Sequence, residues 1–573
     1  MKKILAFIIF SCILFSCNNK EIDRPNVILI ITDDQGFGDI GYNGNTKINT
    51  PNLDNLANES IRFNNFYVSP VCAPTRSSLM TGRYSLRTGV RDTYNGGAIM
   101  SSDEITIPEV LKEANYKTGI FGKWHLGDNY PSRPSDQGFD ESLIHLAGGI
   151  GQVGDITNYF QGNKSYFDPI LWLNNKKKKY DGYCSDIFTN EAINFVDKNK
   201  SERFFCYLSF NAPHTPLQLP KKYYEMYKDL DPEKVSNQDK IIMSEKDIED
   251  AKKVYGMVSN IDDNIGRLLK KLDELGISDN TIVIFMTDNG PQQRRYISGL
   301  RGLKSDVYNG GIKVPFYLRY PRIFTEGQDT DVFSAHIDVL PTISKLCGLN
   351  LPDNRIIDGI DLLSNIKKQN RSFFSYWTRR LPELYNNVSV QKGDYKLVGN
   401  TDYNSPITDF ELFDITKDPY EKNNLIEIKK TKASMLKIEM DSFYNNLIKS
   451  KNLIDQPRII IGTEFENPTI LNRNDAGGER GIWAQNEIYG FWRIKMMEGK
   501  YNFKFKFINI NQSSGEMLLE IGNKTFKKSS IVDNEGYISM NDININKGNY
   551  NIIPTFKTDR KNILPFWIEV NKI

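Results

Sequence analysis

The residues of this chain that can do chemistry lie in short polar stretches, and their types point to a hard cation and a reactive side chain. Asp33-Asp34 and Asp288-Asn289 each follow an apolar run, at 26–32 and 281–286. All four offer oxygen donors, with no thiolate or imidazole among them, which suits Ca²⁺ or Mg²⁺ rather than zinc. Such pairs are also ordinary turn residues, so either pair alone carries no assignment. The other candidate is Cys72-Ala73-Pro74-Thr75-Arg76. Pro74 is a good helix opener and Gly82 a good stop, so Cys72 stands at the mouth of a short helix whose free N–H groups favour an anion. A cysteine there is either a buried small hydrophobe or a reactive group. Cations and imidazoles follow: Lys123 and His125 in Gly-Lys-Trp-His, His214 in Pro-His-Thr-Pro, and Lys304 in Arg-Gly-Leu-Lys. Of the four histidines, His145 and His336 stand outside these stretches.

Gathering these groups at one place asks for strands that end together. The run at 26–32 is continuously apolar and β-branched, as a parallel strand covered on both faces must be. Runs at 117–121, 204–210 and 281–286 read the same way, and each delivers polar residues at its end. Helices are expected between them: one after Thr50, with Thr50 as cap and Leu53, Leu56 and Ala57 as its apolar stripe, then 106–115, 185–198, 248–275 and 334–347. This alternation predicts a doubly wound, mainly parallel α/β sheet with one site along its carboxyl edge. Short strands at 372–398 and 411–414 and a helix at 431–448 make a smaller α+β subdomain. Beyond 454, short alternating runs separated by glycine and asparagine turns read as an antiparallel β-sandwich. Lys176–Lys179 is read as a solvated loop.

The 573 residues carry a net charge of +2, which argues against a nucleic-acid coat and leaves any anionic substrate to local cations. Lys2 and Lys3 precede an apolar run at 4–15, too short to span a membrane. The run ends in Leu14-Phe15-Ser16-Cys17, which looks like a bacterial lipobox. The expectation is a signal at 1–17, lipid on Cys17, a polar tether at 18–24, and an exported protein in the periplasm or at the outer membrane or cell surface. It would meet the membrane through that anchor only; ordinary secretion is the alternative. Six cysteines are present, and Cys184, Cys206 and Cys347 allow at most one internal disulfide, with Cys206 a free core thiol.

In this order the stretches resemble the motifs of type I sulfatases, in the alkaline phosphatase superfamily: Asp-Asp, Cys-x-Pro-x-Arg with Leu79-x-Thr81-Gly82-Arg83, Gly-Lys-Trp-His, Pro-His-x-Pro, Thr-Asp-Asn-Gly, and Arg-Gly-x-Lys before Gly-Gly. The resemblance spans residues 25–425 and implies a catalytic domain at 25–365, an α+β subdomain at 366–452 and an added β-sandwich at 453–573. It implies that a maturation enzyme oxidises Cys72 to formylglycine (3-oxoalanine). A hydrated aldehyde carries two hydroxyls on one carbon: one attacks sulfur, and the other, once deprotonated, collapses to the aldehyde and expels sulfate. A serine would instead end as a stable sulfate ester. The same resemblance puts Ca²⁺, or less readily Mg²⁺, on Asp33, Asp34, Asp288, Asn289 and residue 72, activating the nucleophile and polarising a sulfate oxygen. Arg76 would hold the hydrated aldehyde, Lys123 and Lys304 would neutralise the sulfate, His125 would take the proton of the second hydroxyl, and His214 would protonate the leaving oxygen. Two departures stand out. Asn309-Gly310-Gly311-Ile312-Lys313 replaces Glu-Gly-Gly-x-Arg, which bears on the support of Lys304, and no sulfate-binding serine or threonine aligns after Gly138-Phe139-Asp140.

The expected reaction is hydrolysis of sulfate monoesters on a sulfated carbohydrate. The export signal and the Lys-, Asn- and Ile-rich composition suggest an AT-rich bacterium feeding on polysaccharides of algae, such as ulvan, or of host mucosa. Candidate sugar contacts are 91–94, the loop at 148–166, Trp377-Thr378-Arg379-Arg380 and His145; His336 reads as structural. Two rivals are a phosphonate or phosphate ester hydrolase of the same superfamily and a glycan-binding lipoprotein with an inactive core. The β domain reads as a packing partner rather than a carbohydrate module.

Overall fold

Four strands make the heart of the molecule: β1 (Asn26–Thr32), β2 (Lys117–Lys123), β3 (Phe204–Ser209) and β4 (Thr281–Thr287). β1 is buried throughout because Val27, Leu29 and Ile31 enter the core on one face of the sheet while Ile28 and Ile30 enter the core on the other. β1 lies between β4 and β3 and runs parallel to both, and β2 and Glu141–His145 extend the parallel run. Further strands finish the ten-stranded sheet on both sides, beginning with the antiparallel Phe316–Arg319 beside β4 and Ile170–Leu173 beside Glu141–His145, and ending on the β4 side with Gln328–Thr330 parallel to Ile61–Phe63. The doubly wound, mainly parallel sheet inferred from the apolar runs is therefore the architecture found. This computed structural model describes residues 24–235, 241–364, 371–379 and 381–573. The expected signal with Cys17, and Arg380, lie outside them.

Three expectations are corrected. Lys176–Lys179 is the sheet's exposed edge strand, not a loop. A row of lysines suits that place, since charge at an open edge discourages further pairing. The segment 334–347 is not one helix: Ser334–Ala335 pairs with Phe66–Tyr67, His336–Asp338 makes a 3₁₀ turn, and the helix begins at Val339. The Asp338 carboxylate accepts from the Ala335 N–H at 2.7 Å, which holds the turn. Thr50 precedes Pro51–Asn58 without capping it, because its hydroxyl bonds Gly41 and Asp54. The cap comes instead from Asp262, on the long helix Glu245–Glu274, which accepts from the N–H groups of Asn52 and Leu53.

Four antiparallel strands between Ser372 and Asp414, backed by Lys430–Leu447, follow the main sheet. The last 120 or so residues form two facing sheets closed on Trp492, Phe503, Phe505, Phe556 and Ile568, antiparallel except where Ile459–Ile461 joins Gly490–Met496 in parallel. This sandwich shares its core with the rest of the chain. Ile99 belongs to its apolar cluster, and Leu146 and Ile156 pack with Phe566 and Trp567. Cys72, Cys184, Cys206 and Cys347 are free and buried, so no disulfide joins the described residues. Among those residues no helix is long and apolar enough to cross a membrane.

Candidate active site

Register brings the polar strand ends level. Thr32 pairs with Thr287, and Ser209 with both Ile31 and Gly122, so Asp33, Asp288 and Lys123 leave the sheet side by side. Gly122 has φ +122°, and a Cβ there would lie 1.7 Å from the Ser209 carbonyl oxygen. Only glycine lets the two strands meet so closely. Asp34 and His125 adopt left-handed backbone conformations, with φ 62° and 61°. Non-glycine residues take up such angles only when their surroundings fix them. At Asp34 the fixing groups are Asp288, whose Oδ1 accepts the Asp34 N–H at 3.2 Å, and Arg295, whose Nη2 donates to the Asp34 carbonyl at 2.8 Å.

Asp33, Asp34, Asp288 and Asn289 are all fully buried. Asp33 Oδ1, Asp34 Oδ2 and Asn289 Oδ1 have no hydrogen-bond partner among the described residues. One ligand atom each from Asp33, Cys72 and Asp288 lie within 4.8 Å of one another, and so do those of Asp33, Asp34 and His214. Orphaned buried oxygens are costly to a fold, and converging ones fit a hard divalent cation. Cations line the same place. Lys123 Nζ lies 2.5 Å from Asp33 Oδ2, and Lys304 Nζ 2.7 Å from Asp34 Oδ1. Arg76 pairs with Asp288 at 2.9 Å and donates to Ser209 Oγ at 2.6 Å. Burial would raise the Asp33 carboxyl, but Lys123 and the other cations hold it well below the usual range. Burial, with the Asp33 charge, pushes Asp288 up.

Cys72 opens helix α1 (Cys72–Thr81), and its Sγ lies 3.4 Å from His125 Nδ1. The other ring nitrogen of His125 bonds the Thr93 carbonyl at 2.7 Å, which orients the imidazole. His214 bonds the Thr215 carbonyl through Nδ1 and turns Nε2 to 3.7 Å from Asp34 Oδ2. Burial lowers both imidazoles, helped by Lys123 at His125 and by Lys304 at His214, which favours the neutral form of each ring. Burial also pushes the Cys72 thiol up.

A cleft of about 390 Å³ opens onto Cys72, His125, His214 and Lys304. Of the candidate sugar contacts, Thr93, Tyr94, Gly148, Gln152 and Arg379 line it. His145 does not. It pairs with Lys123 at the end of the neighbouring strand, so its ring is buried behind the cleft, with Nδ1 on the Leu146 carbonyl. His336 is buried beside Ser69, as a structural histidine would be. Asn309 does not support Lys304: it accepts from Lys396, which is paired with Glu421. Arg295 and Trp483 are among the site residues that no sequence motif marks. Trp483, from the β-sandwich, lines the cleft, and its signal was a lone tryptophan in a polar, glycine-rich stretch.

A mainly parallel sheet with buried oxygen donors at its carboxyl ends, faced by a side chain at a helix N-terminus, is the arrangement implied by the resemblance to the alkaline phosphatase superfamily. Comparison with known proteins narrows the class. The family model "Sulfatase" matches residues 25–349, and the model "N-sulphoglucosamine sulphohydrolase, C-terminal" matches 303–447. An arylsulfatase of Clostridium perfringens is 31% identical over 450 residues, 70% of this chain and 90% of its own. An N-acetylglucosamine-6-O-sulfatase of Bacteroides thetaiotaomicron is 27% identical over 509 residues, 72% of this chain and 85% of its own. The crystal structure of Ps i-CgsB in complex with k-i-k-neocarrahexaose is 30% identical with a TM-score of 0.64, covering 75% of this chain and 94% of that one. The chain belongs to the sulfatase family and is a sulfuric ester hydrolase.

Proposed function

We propose that the protein removes sulfate from a sulfated carbohydrate outside the cell. The observation that carries this is the convergence on one cleft of Cys72, His125, His214 and Lys304, with Lys123 and the buried oxygen donors paired and clustered directly against them. The carbohydrate part is supported by relatives named for amino-sugar sulfates and by the neighbour solved with neocarrahexaose. An algal polysaccharide such as ulvan remains the reading for the natural substrate, with export and a lipid anchor on Cys17.

In this reading Cys72 is matured to formylglycine by a dedicated enzyme, and its hydrate supplies a nucleophilic oxygen and a second hydroxyl whose deprotonation expels sulfate. Asp33, Asp34, Asp288 and Asn289 would hold Ca²⁺, which would polarise a sulfate oxygen. The remaining work falls to this chain's side chains. Lys123 and Lys304 lie where they can neutralise charge on the sulfate. His125, held by the Thr93 carbonyl, faces residue 72 through Nδ1 and can take a proton from it. His214 presents Nε2 to the cleft; once protonated it can hand that proton to the leaving alkoxide. Arg76 keeps Asp288 aligned.

The test is sulfate release, measured for wild type and Cys72→Ala on sulfated oligosaccharides and on a phosphate and a phosphonate ester. Sulfate release that is lost in the variant supports the reading. Turnover of the phosphate or phosphonate ester alone would refute it.

A further inference from the structure

The β-sandwich does not hang from a linker. The Tyr130 N–H donates to Glu466 at 2.9 Å, Asn472 donates to the buried Asp128 at 2.8 Å, and the Ile460 N–H donates to the Tyr130 carbonyl at 3.0 Å. With the shared apolar cluster of Leu146, Ile156, Phe566 and Trp567, these contacts fix the sandwich to the catalytic domain. One of its loops then reaches the cleft. Arg473, almost wholly buried, holds that loop from inside. Its guanidinium donates to the carbonyls of Ile482, Gln485, Leu564 and Pro565 and to Asn486. Trp483 stands on this loop.

Trp483 packs against Tyr94 with ring centroids 4.9 Å apart, and the Arg379 guanidinium lies 4.5 Å from the Tyr94 ring centre. Both rings are half-buried and line the same cleft as Cys72 and His125. Tyr94 directly follows Thr93, whose carbonyl orients His125. An aromatic surface therefore sits one residue from a group at the reacting centre. The rest of the wall is polar, with Gln152, Gln292 and Ser305 among its members. An aromatic face flanked by amide and hydroxyl groups matches a pyranose, which has an apolar C–H face and a hydroxylated rim.

We propose that Trp483 and Tyr94 form the platform on which a sugar ring at the scissile sulfate stacks, so that the β-sandwich is a structural part of the substrate site. The inference rests on the carbohydrate reading above. Trp483 lies beyond the family models, which end at 447, while Tyr94 lies within the first of them.

The experiment compares wild type, Trp483→Ala and Trp483→Phe on sulfated oligosaccharides from carrageenan, ulvan and chondroitin. Inhibition by inorganic sulfate, which needs only the cationic end of the cleft, is measured alongside with 4-nitrophenyl sulfate as reporter. Trp483→Ala should lower kcat/KM on the best oligosaccharide roughly tenfold to hundredfold, mainly through KM, as loss of a large aromatic contact does. Trp483→Phe should recover most of that loss, and the inhibition constant for sulfate should stay within about twofold. An unchanged kcat/KM in Trp483→Ala would overturn the platform and leave the carbohydrate reading standing. Equal losses of sulfate inhibition and oligosaccharide turnover would overturn it too, since the loop would then act through the fold. If wild type hydrolyses 4-nitrophenyl sulfate but none of the oligosaccharides, the carbohydrate reading fails and the platform with it.

Discussion

Arg295 is the least conspicuous residue near the site, and replacing it should have large effects. It is fully buried, and its guanidinium meets the equally buried Asp39 with Nη2 at 2.6 Å from Oδ2 and Nε at 2.8 Å from Oδ1. Nη2 also donates to the Asp34 carbonyl at 2.8 Å. Arg295→Met would keep the bulk but leave Asp39 charged and buried, with the Gly36 N–H as its remaining donor. Breaking a buried pair from one side costs about 3–5 kcal/mol. For a domain of this size that corresponds to a fall in Tm of about 5–10 °C. The second effect is local. Asp34 loses one of the groups that hold its left-handed backbone, and if it is the metal ligand proposed above, loss of such support typically weakens metal binding about 10- to 100-fold. Differential scanning calorimetry and a Ca²⁺ titration followed by activity measure the two effects. The double variant Arg295→Met/Asp39→Leu separates them, since it should regain most of the Tm but not the Ca²⁺ affinity. A Tm loss under about 1 kcal/mol equivalent in the single variant would refute the reasoning, as would full recovery of Ca²⁺ affinity in the double one.

Further expectations concern other groups. His214→Ala should cut kcat about 10²- to 10⁴-fold on sugar sulfates but far less on 4-nitrophenyl sulfate, whose leaving group needs no proton; steady-state kinetics on both substrates checks this. Chelation should abolish turnover and lower Tm, and Ca²⁺ at a hundred times its dissociation constant should restore about 2.7 kcal/mol of stability. At the sandwich interface, burial pushes the Asp475 carboxyl up to about 6, and burial with the Asp475 charge raises Asp128. The folded state therefore binds more protons than the unfolded chain between the ordinary carboxyl pKa and about 6, and stability falls as pH rises through that window. Asp475→Asn should accordingly raise stability by about 1–3 kcal/mol above pH 6, with the gain vanishing toward pH 4, as Tm measured across pH will show.

The core of the site was legible because its chemistry is written in short contiguous stretches at the ends of apolar runs. β1 and β4 could be read off as apolar segments rich in β-branched residues, and a parallel sheet then has to bring Asp33-Asp34 and Asp288-Asn289 together. What was hidden depends on pairing between distant segments. A run of four lysines looks solvated whether it is a loop or an edge strand, and only its partner Ile170–Leu173 decides. Thr50 has the right residue type to cap a helix, but Asp262, over 200 positions away, takes the N–H groups. His145 sits one step past the cleft because register pairs it with Lys123. Trp483 enters the cleft only because a second domain docks there, which no local pattern announces. Arg295 shows its importance only through Asp39 and the Asp34 carbonyl.

A mass measurement tests most directly whether residue 72 is a formylglycine. The tryptic peptide 63–76, from protein purified from its native host, should weigh about 18 Da less than its cysteine form, the change from CH₂SH to an aldehyde. Finding that loss in protein active toward sulfate esters bears out the nucleophile. Finding only cysteine at position 72 in equally active protein contradicts the account.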